Sequence, residues 1–532
     1  MFLVKNSKRA LTMVLALGLV LSATGCGKKE DSVLTGSTVK LADGGVYPIQ
    51  CDDELTVWGQ LDTNLSTQVS NFGETELAKK LKEKTGVNVT YIHPAQGQLT
   101  EQFNLLIASG KLPDIIQYSW YGFGAQSAID SGYIMKLNDV LEKWAPNLSK
   151  LLSEDEHYDR MVKTDEGSYY VFPFFRGDKK DCVYSGPIIR KDWLDKLGMD
   201  VPETIDEWDT MLRRFKNELN VDIPLSARLN HLYTLFGGAY GVGQTYVLDD
   251  NGKVKYGPAE DKFKDFLTLL NGWYKEGLLD VNIANVDSKT LETYMLNDRV
   301  GATLGSAAGE LGKWVRTKKG TGFDLVGAHY PVMNKGEKSR ISTREWEYNP
   351  SSSYAISAQC KNPELAVRFL DYGYSDEGRM LYNFGTEGLT YNMVDGNPVF
   401  TDLLTKSEAG LSVELKKYAM GSYSGPFVQD SRVVEQMQAE PPQVRPAVLA
   451  WDDTDAEKHI MPLITENKDE AKEMSKLASE INTYSSEMMI KFVVGAEPLD
   501  NFEAYQRQLK DFGLDRALEI KEQALKRYYD RN

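Results

Sequence analysis

Glu54-Leu-Thr-Val-Trp58, Val87-Asn-Val-Thr-Tyr-Ile92 and Ile115-Ile-Gln-Tyr118 are three short runs rich in β-branched and aromatic residues. Each reads as a strand. Between the first two, Glu76 to Thr85 places Leu77 and Leu81 on one face, covers the rest with charge and stops at Gly86, which predicts a helix. Between the second and third, Phe103, Leu106 and Ile107 form another helical stripe, ended by Gly110. The order strand-helix-strand-helix-strand predicts a largely parallel sheet with helices on both faces. Ligands of such sheets bind in the crevice at the carboxyl ends of the strands. The loops at 58–64 and 119–124 occupy that edge.

Downstream the pattern becomes mostly helical. Thr204 and Glu207 have capping-box spacing, and Trp208, Leu212, Phe215 and Leu219 line one face of the helix they open. Phe263, Phe266, Leu267, Leu270 and Tyr274 mark a second helix, ended at Gly277. Asp249-Asp250-Asn251-Gly252, between Tyr246-Val247-Leu248 and Val254-Lys255-Tyr256, is a hairpin turn signal. It lacks the alternating ligands and distal glutamate of a calcium loop. Gly237-Gly238-Ala-Tyr-Gly241-Val-Gly243 follows no convincing strand and reads as a loop, not a nucleotide cradle. Several helices fill the last seventy or so residues, punctuated by Gly495 and Gly513.

Upstream, Lys5, Lys8 and Arg9 precede the apolar stretch Ala10 to Leu21, which at about twelve residues is too short to span a bilayer. Ser22-Ala23-Thr24-Gly25 and Cys26 follow. This resembles a bacterial lipobox with Ala23 in place of the usual leucine, which implies a signal peptide over 1–25 and a lipid on Cys26. The polar tract after it reads as a flexible tether over 26–51. The protein is expected to sit on the outer face of the cell membrane, anchored through lipid and not spanning. Cys51, Cys182 and Cys360 are odd in number, with no C-x-x-C, so neither a disulfide framework nor a zinc site is suggested.

Composition is that of a soluble globular chain: 532 residues, 42% hydrophobic, 26% charged. At roughly 100–200 residues per domain, two large lobes fit this length. The 77 acidic against 61 basic residues give a net charge of −16, and no basic patch offsets it, which argues against a nucleic-acid partner. Five scattered histidines form no H-E-x-x-H, and no G-x-S-x-G elbow or phosphate loop is present. A glycosidase needs two carboxylates, a condition that 77 acids always meet somewhere, so it carries no weight. The chain is therefore not expected to be an enzyme.

Ile107-Ala-Ser-Gly-Lys-Leu-Pro-Asp114-Ile is similar to the A-S-G-x-x-P-D-[IV] signature of family 1 extracellular solute-binding proteins, the receptors of ABC importers. Further segments resemble its LplA-like lipoprotein subgroup: Gly132 to Asn138, Ala145-Pro-Asn-Leu148, Ile189 to Gly198 with Pro202-Glu-Thr204, Trp273 to Leu278, Gly385-Thr-Glu-Gly388, and Lys491 to Leu499. The resemblance implies an α/β, two-lobed periplasmic-binding-protein type II fold, hinge-linked and with a helical C-terminus. Lobe 1 would comprise 52–172 plus 323–362, and lobe 2 would comprise 173–322 plus 363–532. It also implies capture of an oligosaccharide or sugar derivative in the interlobe cleft and delivery to permease subunits, by a protein acting as a monomer. Some members of the family bind structural calcium; no complete ligand set is readable here, and no cofactor is expected. A surface lipoprotein that binds a peptide or a protein partner is the alternative.

A sugar has an apolar face and a rim of hydroxyls, so its site pairs aromatic planes with directed polar groups. In the first edge loop Trp58, Gln60, Asp62 and Asn64 are candidates; in the second, Tyr118, Trp120 and Tyr121, with Trp120 foremost. Phe174 and Arg176 fall at the first implied crossing, and the planar fork of Arg176 suits a carboxylate sugar. Ser306, Trp346 and Trp451 complete the set. Trp144, Trp193, Trp208, Trp273 and Trp314 read as helix packing.

Overall fold

A computed structural model describes residues 38–42, 45–421 and 423–531. The leader, Cys26 and the first part of the tether lie outside the described residues.

The three opening strands form as read, at Glu54–Trp58, Asn88–Ile92 and Ile115–Tyr118. The first lies between the other two and is parallel to both, and Ser353–Ile356 adds antiparallel beside the third. The intervening helix Glu76–Thr85 begins at Thr75, whose side chain accepts the Ala78 N–H, and ends at Gly86 with φ 76°. No other residue fits there: a Cβ on Gly86 would stand 2.1 Å from the Ile49 carbonyl oxygen. Leu77 and Leu81 bury beneath the sheet. Helix Leu99–Ser109 ends likewise at Gly110, φ 64°.

A second sheet has the order Leu325–Gly327, Ser185–Arg190, Val300–Ser306, Ile223–Leu225. Its core takes the amphipathic faces of Ile205–Leu219 and Lys262–Lys275, with the Thr204–Glu207 capping box in place. The 246–256 segment is the expected hairpin, its turn held by Asp249 Oδ1, which accepts the Asn251 and Lys253 N–H groups. Of the 237–243 run read as a loop, residues 237–240 are helical, which corrects that reading for this part; only Gly241, φ 69°, ends the turn as a glycine must.

Two large cores follow from the two sheets, which gives the two-lobed α/β architecture, but the boundaries differ from those implied. Helix Pro363–Asp371 and Tyr372–Tyr382 pack in the first core, not the second. Conversely Leu325, Ala328 and Tyr330 belong to the second core, not the first. The physical reason is strand pairing: Leu325–Gly327 pairs with Ser185–Arg190, so the chain leaves the second sheet only after it. The crossings form one narrow band. Phe174–Arg176 pairs in parallel with Phe427–Gln429 on one side, and on the other Arg176 N–H donates to the Glu347 carbonyl. Phe174, expected to face ligand, is fully buried in this band between Phe427 and Tyr423.

The tether reading also needs correction at its end. Lys40 pairs with Gln50, Ile49 is buried, and Tyr47 donates its hydroxyl to the Arg368 carbonyl at 2.6 Å while packing edge-on to Tyr372. At the other terminus, helix Leu514–Tyr529 serves both cores. Leu514, Ala517 and Ile520 enter the second, and Ala524, Leu525 and Tyr528 the first. Arg527 and Arg531 fasten its end to Asp165 at 2.7 and 2.6 Å.

Candidate functional site

The carboxyl ends of the three parallel strands open into a cavity of about 370 Å³. It is lined by the predicted loop, Gly59 to Thr63, by Tyr91 and His93 after the second strand, and by Gln117 and Tyr118 at the end of the third. Strand alternation puts Val57, Tyr91, Gln117 and Tyr354 on this face, and Tyr118 reaches the cavity from the strand end, its ring stacked on buried Phe103 at 3.5 Å between centroids and 7° between planes. Asn349, Ser351, Ser352 and Tyr354 enter from the antiparallel strand and its approach. Lys416, Met420, Tyr423 and Ser424 close the far wall.

A second cavity of about 350 Å³ adjoins the first, and Lys416 and Tyr423 line both. Here the second lobe takes part: Tyr184 and residues 306–309 face Asn64, Tyr382, Asn383, Phe427 and Gln429, with Val433, Val434 and Met437 as an apolar floor. Tyr184 and Tyr423 stack at 5.9 Å with 23° between planes. Arg176 lies behind both rings, 5.9 Å from the first and 5.1 Å from the second. Burial, then the Glu345 carboxylate, pushes the Tyr184 phenol well above its ordinary range, so it stays a neutral donor to Glu345 at 2.8 Å.

Of the sequence candidates, Gln60, Asp62, Asn64, Tyr118 and Ser306 reach these cavities. The others do not. Trp120 is fully buried, its indole N–H satisfied by the Ile116 carbonyl at 3.0 Å and its ring held edge-on to Phe103. The turn after the third strand folds back as a short helix, Trp120–Phe123, so the ring points into the core. Trp58 is 5% exposed and packs on Phe103, on the face of the sheet turned away from the cavity. Tyr121 donates to the Ile464 carbonyl at 2.5 Å, and Trp346 to the Met461 carbonyl at 2.8 Å, each away from the cleft. Trp451 lies on the buried face of helix Val444–Asp452, bonded to the Pro187 carbonyl and flat over Gly186, where a Cβ would come within 2.4 Å of the ring. Arg176 is 1% exposed and its fork is already used, by Glu345 at 2.5 Å and the Trp346 carbonyl at 3.1 Å.

Sequence reasoning missed Tyr91, Tyr184, Tyr354, Lys416 and Tyr423. Tyr91 carried a signal, since it sits in a run read as a strand. Lys416 and Tyr423 carried none, because only the return of 411–424 to the first lobe brings them in. Among the described residues, no group of three or more His, Cys, Asp or Glu side chains is placed to hold a metal ion.

Comparison with known proteins bears on this geometry. The sequence model of the bacterial extracellular solute-binding protein family matches residues 71–380. The fructooligosaccharide ABC transporter substrate-binding protein FusA of Streptococcus pneumoniae is 27% identical over 72% of this chain and 71% of its own. Lipoprotein LipO of Bacillus subtilis is 24% identical over 66% and 72%. Among solved structures, the alginate-binding protein AlgQ2 without calcium ion superposes with a TM-score of 0.71 at 27% identity, covering 89% of this chain and 98% of that one.

Proposed function

This chain belongs to the bacterial extracellular solute-binding protein family, and we propose that within it the protein is the receptor of an ABC importer for an oligosaccharide. The observation that carries this reading is the pair of joined cavities at the carboxyl edge of the first sheet, with tyrosine faces among uncharged amides and hydroxyls. Tyrosine presents a flat apolar face to a sugar ring and a polar tip to its hydroxyls. That relatives are named for fructooligosaccharide transport and alginate binding supports the same class of ligand. Asp62 is the one carboxylate among the described residues lining the two cavities, whereas glycoside hydrolysis uses two. Binding without chemistry fits that complement.

In this reading Cys26 carries the lipid, the protein works as a monomer on the outer face of the membrane, and permease subunits receive the ligand. Ligand favours the closed cleft over the open one and shifts that equilibrium. Thermal unfolding of the full chain against a panel of oligosaccharides tests the reading. A bound glycan raises apparent stability by about 2.7 kcal/mol at a hundred times its dissociation constant. At the same ligand concentration that shift should fall to about 1 kcal/mol in Tyr118→Ala with the fold retained. No shift with any glycan, in protein free of co-purified sugar, rejects it.

A further inference from the structure

We infer that the cleft selects an uncharged glycan and turns away uronates and other anionic sugars, a conclusion that rests on the carbohydrate reading above. Tyrosines aside, three ionisable side chains among the described residues line the two cavities: Asp62, His93 and Lys416. Each is already engaged by the protein. Lys416 Nζ lies 2.7 Å from Asp62 Oδ2, and the two side chains are only 12% and 30% exposed. The other oxygen of Asp62 accepts the Asn64 and Leu65 N–H groups at 2.9 and 3.1 Å, so the carboxylate is fixed in place.

His93 is held at both ring nitrogens. The Phe72 N–H donates to Nε2 at 3.1 Å, which leaves the ring proton on Nδ1, where it serves the Gly59 carbonyl at 2.8 Å. Arg176, behind the Tyr184 and Tyr423 rings, is committed to Glu345. On the second lobe, Glu310 accepts the Ser306 N–H at 2.5 Å beside the cavity and adds negative charge there.

An anionic ligand would therefore have to take Lys416 from Asp62 and then lie beside the carboxylate it displaced. Like-charge juxtaposition in a desolvated cleft is a strong device for rejecting a wrong partner. The remaining polar lining, such as Gln60, Gln117, Asn349 and Ser351, matches hydroxyls without charge.

Calorimetric titration of the full chain in detergent, with neutral fructo- and xylo-oligosaccharides and length-matched oligogalacturonates, tests this. A neutral glycan should bind with an affinity that changes less than about twofold between low and high salt, since no ion pair to ligand is there to be screened. Oligogalacturonate should bind at least about tenfold more weakly. Equal or tighter oligogalacturonate binding, or a salt-weakened complex, overturns the inference while leaving the carbohydrate reading intact. Failure of both classes overturns that reading and this one with it. Asp62→Asn frees Lys416, and should raise oligogalacturonate affinity by about fivefold or more and make it salt-sensitive. A folded Asp62→Asn protein with oligogalacturonate affinity unchanged also counts against the inference.

Discussion

The two lobes present different surfaces to the cleft. The first supplies most of one cavity, through Tyr91, Tyr118 and Tyr354 and a set of amides and hydroxyls, while Lys416 and Tyr423 line both cavities. The second supplies Tyr184 and residues 306–309, and keeps Trp193, Trp208, Trp273, Trp314 and Trp451 in its core. Tryptophan here is core, and the aromatic rings lining the two cavities are tyrosines, with Phe72 and Phe427. An indole carries one donor, which a backbone carbonyl in the core satisfies for Trp120 (Ile116) and Trp451 (Pro187) and the Asp209 carboxylate for Trp273. A phenol ring can lie flat at a surface and still reach water or ligand with its hydroxyl. Under the proposed function the first lobe would hold the ligand and the second would close over it.

The comparison breaks most visibly if a core tryptophan proves to bind ligand. Trp451→Ala should cost about 3–5 kcal/mol of unfolding free energy, as an emptied core site does, with glycan affinity in the folded fraction nearly unchanged. Urea unfolding beside calorimetry decides it. A large affinity loss at unaltered stability would put Trp451 in the cleft after all.

The lobes should also respond to acid in opposite directions. Asp371, in the first core, is 1% exposed, and burial raises its carboxyl to about 6 against the pull of the Leu148 and Asn147 donors. The folded state keeps a proton that the unfolded chain gives up near pH 4. Its contribution is full below about pH 4 and is lost as pH rises through about 6, by about 2–3 kcal/mol. His231, in the second lobe, is lowered to about 4 by burial and by Arg228. Its contribution is full above about pH 6.5 and is lost as pH falls towards 4. In the window between, the two oppose each other. Asp371→Asn should therefore steepen acid destabilisation and His231→Gln should flatten it, in urea midpoints measured across about pH 4 to 7. Identical slopes for both variants would remove the contrast.

What was legible in the sequence follows the range of the forces involved. The first strand, the helix Glu76–Thr85 and the capping box at Thr204 came out residue for residue, because a hydrophobic period, a cap and a left-handed glycine act within a few positions. The edge loop 59–64 was legible because parallel topology decides where a crevice opens. Trp120 was not. Two residues beyond Tyr118, its direction depends on whether the chain continues as loop or turns into a helix, and that turn buries it on Phe103. The lobe boundaries failed for a related reason: the pairing of Leu325–Gly327 with Ser185–Arg190 joins segments about 135 residues apart, a choice no local pattern encodes. Lys416 and Tyr423 come from farther away still.

The finest test of the asymmetry sets one residue from each lobe side by side. Tyr118 is stacked on Phe103 and half-buried at the strand end, so Tyr118→Ala removes an aromatic face from the cavity and should weaken glycan binding by about 10–30-fold. Ser306 offers a single hydroxyl from the second lobe, its N–H already spent on Glu310, so Ser306→Ala should cost about fivefold or less. The ratio between the two is what the comparison predicts, and it does not depend on which glycan is used. If Ser306→Ala costs as much as Tyr118→Ala, the second lobe holds ligand on equal terms. The closed state would then owe its stability to contacts shared across the cleft. If only the dissociation rate changes in Ser306→Ala, the serine acts after capture, as a group on a closing lobe should.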